Sequence, residues 1–370
     1  MNHVISPAAR RRRTRVTTAL VATATLALVA CGANDADDNG PSSGAGDGRV
    51  KVALILKTFS NPYFVSMEKS AQAAAAQLGV DLVVSAGSSD TDTGAQLKAI
   101  NNAIAGGFEG IIITSNGDAV NAALQRARTA GQYTIALDTL PTPPSTVNLT
   151  YATDNTQAGR IIGKWTASKL TGRPATIALL DAVNTAVISV DVQRNHGFLE
   201  GIGIPVGDPK INGKAPGSGQ YKGGMGGSYE IVCELPTNGT IPQGKSAMQT
   251  CLQKNPDINV VYAVNEPAAQ GASQALADAK SDAIVVAIDG GCSNLQFVES
   301  GSIDATAAQF PGKMAALGVQ AIHDLVTEKA RPKTSEGRDF FDTGVMLFTN
   351  DPQPGISSTD VAGARKLCWG

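Results

Sequence analysis

Four planar polar side chains stand directly after apolar stretches that have the pattern of buried strands. They are Asp138, Asn265, Asp289 and Gln309. A carboxylate or an amide can pair with two neighbouring hydroxyl groups at once, and a charge on one partner strengthens each hydrogen bond. Each of these residues alone is more often a turn or helix-cap residue. Four in the same topological position indicate a site for a small ligand rich in hydroxyl groups.

A second cluster follows the first predicted strand and consists of Asn61, Tyr63 and Phe64. Aromatic rings at this point could stack on the apolar C–H face of a sugar, while the amide binds its hydroxyl groups. The structural alternative is that Asn61 is the N-cap of a helix and that both rings belong to the core. The residues themselves leave both interpretations open.

The elements that must position these residues alternate along the chain. Apolar strands are predicted at 50–56, 80–84, 110–114, 133–137, 175–180, 231–235, 259–263, 283–288 and 303–307. Amphipathic helices separate most of them, which predicts parallel sheets covered on both faces. A proline-rich break at 141–144 divides the pattern into two units. We therefore predict an α/β protein of two doubly wound parallel-sheet domains, with a ligand site between them. The glycine-rich stretch 213–227 is predicted to be an exposed loop insertion.

The first fifty residues have the pattern of an export signal. Five arginines between positions 10 and 15 precede an uncharged, mostly apolar run at 16–30 that ends at Cys31. This resembles a signal peptide (1–30) followed by a lipobox cysteine. Residues 31–49 cannot build a core and predict a flexible tether. We expect an exported protein, anchored through lipid on Cys31 to the outer face of the cell membrane.

Composition excludes several functions. The 370 residues carry a formal net charge of −2, so no basic field favours nucleic acid. Residues 239–246 match a P-loop, but Pro242 lacks an N–H that such loops use, and nucleotide is scarce outside the cell. Residues 90–101 begin like a calcium loop, but Asn101 stands where Glu is wanted. We predict no metal and no cofactor. Four cysteines remain after Cys31, and they allow three disulfide connectivities.

In their order along the chain, a set of motifs resembles the type I periplasmic binding proteins for ribose, galactose, xylose and fructose. The motifs are Asn61-Pro62-Tyr63-Phe64, Ile135-Ala136-Leu137-Asp138, Thr153-Asp154-Asn155, Asp191-Val192-Gln193-Arg194 with Gly197-Phe198, Val264-Asn265-Glu266, Ile288-Asp289-Gly290 and Ala308-Gln309. The resemblance covers about residues 50–370. It implies that a sugar pocket is lined by Asn61, Tyr63, Phe64, Asp138, Arg194, Asn265, Asp289 and Gln309.

Within this family, the runs 265–269, 289–292 and 368–370 look most like fructose-specific components. Ribose binders carry Arg after the residue that matches Asp138, whereas this chain has Thr139, so the resemblance disfavours ribose. Glu266 is interpreted as a helix-start residue rather than a ligand. Fructose is the predicted ligand, with ribose, xylose, galactose or inositol as alternatives.

The resemblance also implies a domain organisation and partners. The chain crosses between lobes near Leu149, Gln309 and Thr343, so that 50–149 and 310–342 form one lobe and 150–309 with 343–370 form the other. Hinge closure around the sugar is expected, with the closed monomer recognised by an ABC permease that works with a cytoplasmic ATPase. Within this scheme we pair Cys233 with Cys251 and Cys292 with Cys368.

Two other classes of protein compete with this interpretation. A transcription regulator shares the fold but needs a DNA-binding segment where the export signal stands. An exported sugar-processing enzyme could use Asp138 and Asp289 as a pair of carboxylates. We expect Arg194 to hold both carboxylates ionised, which leaves no general acid, so no enzymatic activity is predicted.

Overall fold

The computed structural model describes residues 48–370. The predicted signal peptide, the lipidation at Cys31 and nearly all of the predicted tether lie outside the described residues. The helices are α1 (Pro62–Leu78), α2 (Thr93–Ala105), α3 (Asn121–Thr129), α4 (Asn155–Leu170), α5 (Ser189–Ile202), α6 (Ile241–Lys254), α7 (Glu266–Ala279), α8 (Leu295–Glu299), α9 (Pro311–Thr327) and α10 (Val361–Ala364). In the part of the chain that the structure describes, no helix is both long and apolar enough to span a membrane.

The first sheet contains six strands, all paired in parallel. They are β1 (Lys51–Thr58), β2 (Asp81–Gly87), β3 (Gly110–Ile113), β4 (Tyr133–Leu137), β5 (Leu149–Ala152) and β12 (Phe341–Asp342), in the spatial order β12-β5-β4-β3-β1-β2. Alternate residues of β1 enter separate cores. Val52 and Leu54 pack on one face of the sheet, whereas Ala53 and Ile55 pack on the other. Helices therefore cover both faces, as the apolar strands predicted.

The second sheet contains eight strands, and all but two of its neighbouring pairs are parallel. They are β6 (Ala175–Asp181), β7 (Ser218–Tyr221), β8 (Gly227–Pro236), β9 (Val260–Ala263), β10 (Ile284–Asp289), β11 (Ala305–Ala308), β13 (Met346–Phe348) and β14 (Ser358–Thr359), in the order β14-β13-β11-β10-β9-β6-β8-β7. Two doubly wound α/β sheets thus confirm the predicted fold class. The first crossing between sheets follows β5, which extends the first sheet to Ala152.

The stretch 213–227 is largely exposed, as expected, but it is not all loop. This stretch contains β7, which pairs antiparallel with β8. Its anchor is Tyr221, which is 1% exposed and donates a hydrogen bond of 2.9 Å to the carbonyl of Arg173. A single buried aromatic therefore outweighs the glycine-rich composition around it.

Helix α4 lies so close to α5 that only glycine fits at the crossing. Gly159 and Gly163 face Gly197 and Gly201 there, and a Cβ on Gly163 would lie 2.9 Å from the Cα of Gly201. The crossing fixes α5, and with it Arg194, relative to the start of α4.

Both disulfides pair as the sequence analysis proposed. Cys233 joins Cys251 and so ties β8 to α6, with Cα atoms 5.7 Å apart. Cys292 joins Cys368 and ties the C-terminal segment to the turn after β10, with Cα atoms 5.0 Å apart.

Candidate ligand-binding cleft

A chain of hydrogen bonds links the carboxyl ends of the two sheets. The Tyr63 hydroxyl donates to Asp138 Oδ1 at 2.9 Å and lies 3.3 Å from Gln309 Oε1. The Gln309 amide in turn donates to Asp289 Oδ1 at 2.8 Å. Asp138 follows a strand of the first sheet, whereas Asp289 ends a strand of the second. The structure therefore brings these four predicted residues together.

Arg194 completes the cluster from helix α5. Its Nε donates to Asn155 Oδ1 at 2.8 Å, and Nη1 donates to the carbonyl of Val264 at 2.8 Å. The same Nη1 lies 3.7 Å from Asp289 Oδ1. Arg194 is 6% exposed, so its charge is held almost out of water. Two of its partners are neutral oxygens that fix the guanidinium. At 3.7 Å, its distance to the Asp289 carboxylate is longer than a hydrogen bond.

The electrostatics of the cluster are set by burial. Burial raises the pKa of Asp289 to about 7, although Arg194 opposes the shift. Burial also raises the pKa of the Tyr63 hydroxyl well above its usual value, and the Asp138 carboxylate adds to this. The pKa of Arg194 is lowered by burial and raised by Asp289 and Asp138, with a net increase. The expectation that Arg194 holds both carboxylates ionised did not include burial, which opposes the guanidinium at Asp289.

Two of the binding candidates occupy unusual backbone conformations. Asp138 has φ 64° and Asp289 has φ 153°, both in the region that favours glycine. Such conformations persist only where the surroundings hold them, and they concentrate at functional sites. The carbonyl of Asp289 accepts from the Gln309 backbone N–H at 2.9 Å, and the Asp138 N–H donates to Tyr151 at 2.9 Å.

Three other predicted residues have local structural contacts. Asn61 caps α1 and accepts from the Tyr63 N–H at 3.0 Å. Asn265 caps α7, accepting from the Ala268 N–H at 3.0 Å and donating to the Gly239 carbonyl at 3.1 Å. Phe64 is 4% exposed and packs in the core of the first sheet, edge-on to Tyr63. The hydrogen-bond chain therefore includes none of the three.

Sequence reasoning did not place three residues that support the cluster. Asn155 was noted only as part of a motif, yet its side chain orients Arg194. Glu266 is fully buried and holds the turn after β10, whereas a helix-start residue is usually solvated. Trp369 donates its indole N–H to the Asp289 carbonyl at 2.8 Å. The only sequence signal for Trp369 was its place beside a cysteine.

The arrangement is suited to holding a small polar molecule. Carboxylate oxygens accept, the guanidinium donates, and the amide of Gln309 does both, so the cluster presents complementary partners for hydroxyl groups. Edge-on contact between Tyr63 and Trp369, with ring centroids 5.3 Å apart, adds an aromatic wall. Both signs of charge are present within one buried cluster, which disfavours a strongly charged ligand.

Comparison with known proteins identifies the family. The profile of the periplasmic binding protein domain matches residues 52–330, which is most of the described chain. The chain belongs to this family. Among its relatives, the ribose import binding protein of Escherichia coli K12 is 29% identical over 285 residues, covering 76% of this chain and 87% of that protein. The D-allose-binding periplasmic protein of the same organism is 26% identical, covering 74% of this chain and 84% of the relative.

Solved structures of periplasmic binding proteins share the fold. A solute binding protein from Actinobacillus succinogenes with bound D-allose gives a TM-score of 0.68 at 22% identity, over 86% of this chain and 100% of that chain. The Caulobacter myo-inositol binding protein gives 0.68 at 21% identity, over 81% of this chain and 93% of that chain. At 21–22% sequence identity, the similarity to these two structures shows a shared fold.

Proposed function

We propose that this periplasmic binding protein is an exported solute-binding component of an ABC importer and captures a neutral monosaccharide between its two lobes. The observation that carries the proposal is the hydrogen-bond chain that joins Asp138 and Tyr63 of one lobe to Gln309, Asp289 and Arg194 at the other. Hydroxyl groups of a sugar can replace or bridge these contacts without leaving a buried charge unpaired. The names of the relatives, which bind ribose and allose, support the same class of ligand.

The proposed motion is hinge closure around the sugar. We assign residues 50–152 and 310–342 to one lobe and 153–309 with 343–370 to the other, which moves the first of the three crossings from near Leu149 to the end of β5. Two of them are tied together, because Arg338 pairs with Asp154 at 2.7 Å and Asp342 accepts from the Asp154 N–H at 3.3 Å. Such a joint lets the lobes rotate while their own contacts stay intact.

The cellular setting is part of the proposal. The arginine-rich start, the apolar run and Cys31 support a lipid anchor on the outer face of the membrane, with the sugar-bound monomer recognised by a permease and its cytoplasmic ATPase. An exported enzyme is the competing class. Chromatography of the sugar after long incubation separates the two, because an importer component returns it unchanged.

Fructose is the sugar that we favour, on the resemblance of residues 265–269, 289–292 and 368–370 to fructose-specific components. Ribose and allose are the candidates that the relatives favour. Thr139 bears on this choice, because its hydroxyl donates to Asp138 Oδ2 at 3.0 Å. The Thr139 hydroxyl thereby occupies one acceptor position of the Asp138 carboxylate, and a ligand hydroxyl must use one of the other acceptor positions.

A thermal-shift screen followed by calorimetry tests the function. The panel is fructose, ribose, allose, xylose, galactose, glucose, mannose and myo-inositol, and we expect fructose to raise the melting temperature most. If ribose or allose binds about tenfold tighter than fructose, a difference of roughly 1.4 kcal/mol, fructose is refuted as the ligand, but the assignment as a sugar-binding protein stands. If none of the eight compounds raises the melting temperature at millimolar concentration, the assignment as a sugar-binding protein is refuted. Asp282→Ala, at an exposed position before β10, is the matched control for substitutions at Asp289.

A further inference from the structure

The C-terminal segment is fixed beside the cluster of candidate ligand residues. Cys368 is bonded to Cys292 in the turn after β10. The backbone N–H of Cys292 donates to the Trp369 carbonyl at 2.8 Å, and Gly291 pairs with Trp369 as a parallel bridge. The indole that follows the disulfide therefore has a defined position next to Asp289, although it lies one residue from the end of the chain.

The indole acts on the backbone of a proposed ligand residue. Its N–H donates to the Asp289 carbonyl at 2.8 Å, and the Gln309 backbone N–H donates to the same oxygen. Asp289 has φ 153°, so its conformation depends on such external contacts. The next two N–H groups, of Gly290 and Gly291, donate to the Glu266 carboxylate at 2.9 and 3.0 Å. The turn is thus held on both sides, and the indole supplies one of two bonds on the carbonyl side.

The same indole also reaches the other lobe. Its ring packs edge-on against Tyr63, with centroids 5.3 Å apart and an interplanar angle of 84°. Tyr63 belongs to α1, beside the first sheet, and its hydroxyl is the donor to Asp138. Trp369 is also packed against the core of that sheet. One side chain therefore contacts a proposed ligand residue of each lobe.

We propose that Trp369 is a positioning residue of the sugar site, held by the Cys292–Cys368 disulfide so that its indole fixes Asp289 and closes against Tyr63. The inference rests on the proposed sugar-binding function. It makes sugar affinity depend on a disulfide whose Cys368 packs at the margin of the second sheet's core. The other disulfide, Cys233–Cys251, lies within the buried core of the second sheet and joins β8 to α6.

Calorimetry with the tightest-binding sugar of the panel tests the positioning role. Trp369→Phe keeps a ring against Tyr63 but removes the indole donor, and we expect about fivefold weaker binding. Trp369→Leu removes both contacts and should weaken binding more than Trp369→Phe. The pair Cys292→Ser with Cys368→Ser should weaken binding about as much as Trp369→Leu, whereas Cys233→Ser with Cys251→Ser should leave affinity within about twofold. Affinity within about twofold of wild type in both Trp369 variants would overturn the proposal.

Fluorescence adds a readout that a purely structural role would not move. The chain has two tryptophans, and Trp165 is fully buried in the second lobe. In Trp165→Phe the emission therefore reports Trp369 alone, and it should move to shorter wavelength on sugar addition. If Trp165→Phe does not fold, the same response should appear in wild type and vanish in Trp369→Phe. A sugar response that survives in Trp369→Phe would contradict the proposal.

Hydrogen exchange separates this inference from the sugar-binding proposal. The amides of Gly290 and Gly291 should exchange about tenfold faster in sugar-free Trp369→Leu than in wild type, because the turn loses one of its two carbonyl contacts. If wild type binds no sugar, the proposed function fails, and this measurement still decides the positioning of the turn. Unchanged exchange at both amides would refute it.

Discussion

Glu266 offers the strongest test of how the site is supported, because its side chain is fully buried and accepts four hydrogen bonds. Oε1 accepts from the Gly290 N–H and the Thr306 hydroxyl, both at 2.9 Å. Oε2 accepts from the Gly291 N–H at 3.0 Å and from the Asn294 amide at 2.6 Å. Glu266→Ala would leave all four donors without this acceptor, and three of them, the Gly290 and Gly291 N–H groups and the Thr306 hydroxyl, are buried.

The magnitude follows from those four donors. A buried donor left unpaired costs about 1–3 kcal/mol, and three of the four donors are buried, so Glu266→Ala should lower the free energy of unfolding by at least about 3 kcal/mol. Glu266→Gln retains one carbonyl oxygen and hence two of the four bonds, so it should cost about half as much. Domains of this kind are stable by about 5–15 kcal/mol, and the alanine variant should still fold in the cold.

Urea unfolding of the sugar-free protein, followed by circular dichroism, measures both variants. Glu299→Ala is the matched control, because Glu299 is exposed and its ion pair with Arg365 should contribute less than about 1 kcal/mol. A loss below about 1 kcal/mol for Glu266→Ala would show that the four bonds do not hold the turn. If Glu266→Ala and Glu266→Gln lower the free energy of unfolding equally, the inference that each carboxylate oxygen accepts two stabilising hydrogen bonds is refuted.

Three further predictions concern the cleft and its frame. Asp289→Ala should weaken sugar binding at least about tenfold by calorimetry, because Arg194 loses its carboxylate, and binding within threefold of wild type would remove Asp289 from the site. The pKa of Asp289 is raised to about 7, so the folded state binds a proton that the unfolded state has released, and the sugar-free protein should lose stability as pH rises from about 4 to 7. Asp289→Asn should flatten that slope in urea titrations, and an unchanged slope would contradict the assignment. Gly163→Ala should lower the free energy of unfolding by about 1–3 kcal/mol, because its Cβ would meet the backbone at Gly201. Gly94→Ala, at the exposed start of α2, is the control and should not lower it. Equal melting temperatures for the two variants would refute the tight packing of α4 on α5.

The elements were predictable where local pattern and burial agree. The bounds of β4 match the expected range 133–137, and Asn61 is the N-cap of α1, as one of the two interpretations of its side chain required. The strand β7 was not predicted, because its one buried side chain, Tyr221, lies among glycines. Periodicity cannot detect an element that depends on a single anchor.

The candidate site was predictable only for side chains that follow strands. Asp138, Asp289 and Gln309 could be recognised because parallel strands end at one edge of a sheet. Trp369 and Asp289 are 80 residues apart in sequence, and their contact lies next to a disulfide whose pairing the sequence alone did not determine. The burial of Glu266 likewise depends on a turn that belongs to the following strand.

The glycine crossing of α4 and α5 has a consequence for engineering. Gly163 and Gly201 stand where any larger side chain would separate the helices, and Arg194 would move with α5. Libraries intended to change which sugar is recognised should therefore keep these glycines constant and vary the side chains at the strand ends. The scaffold thus divides into positions that accept a single amino acid and positions that are free to diversify.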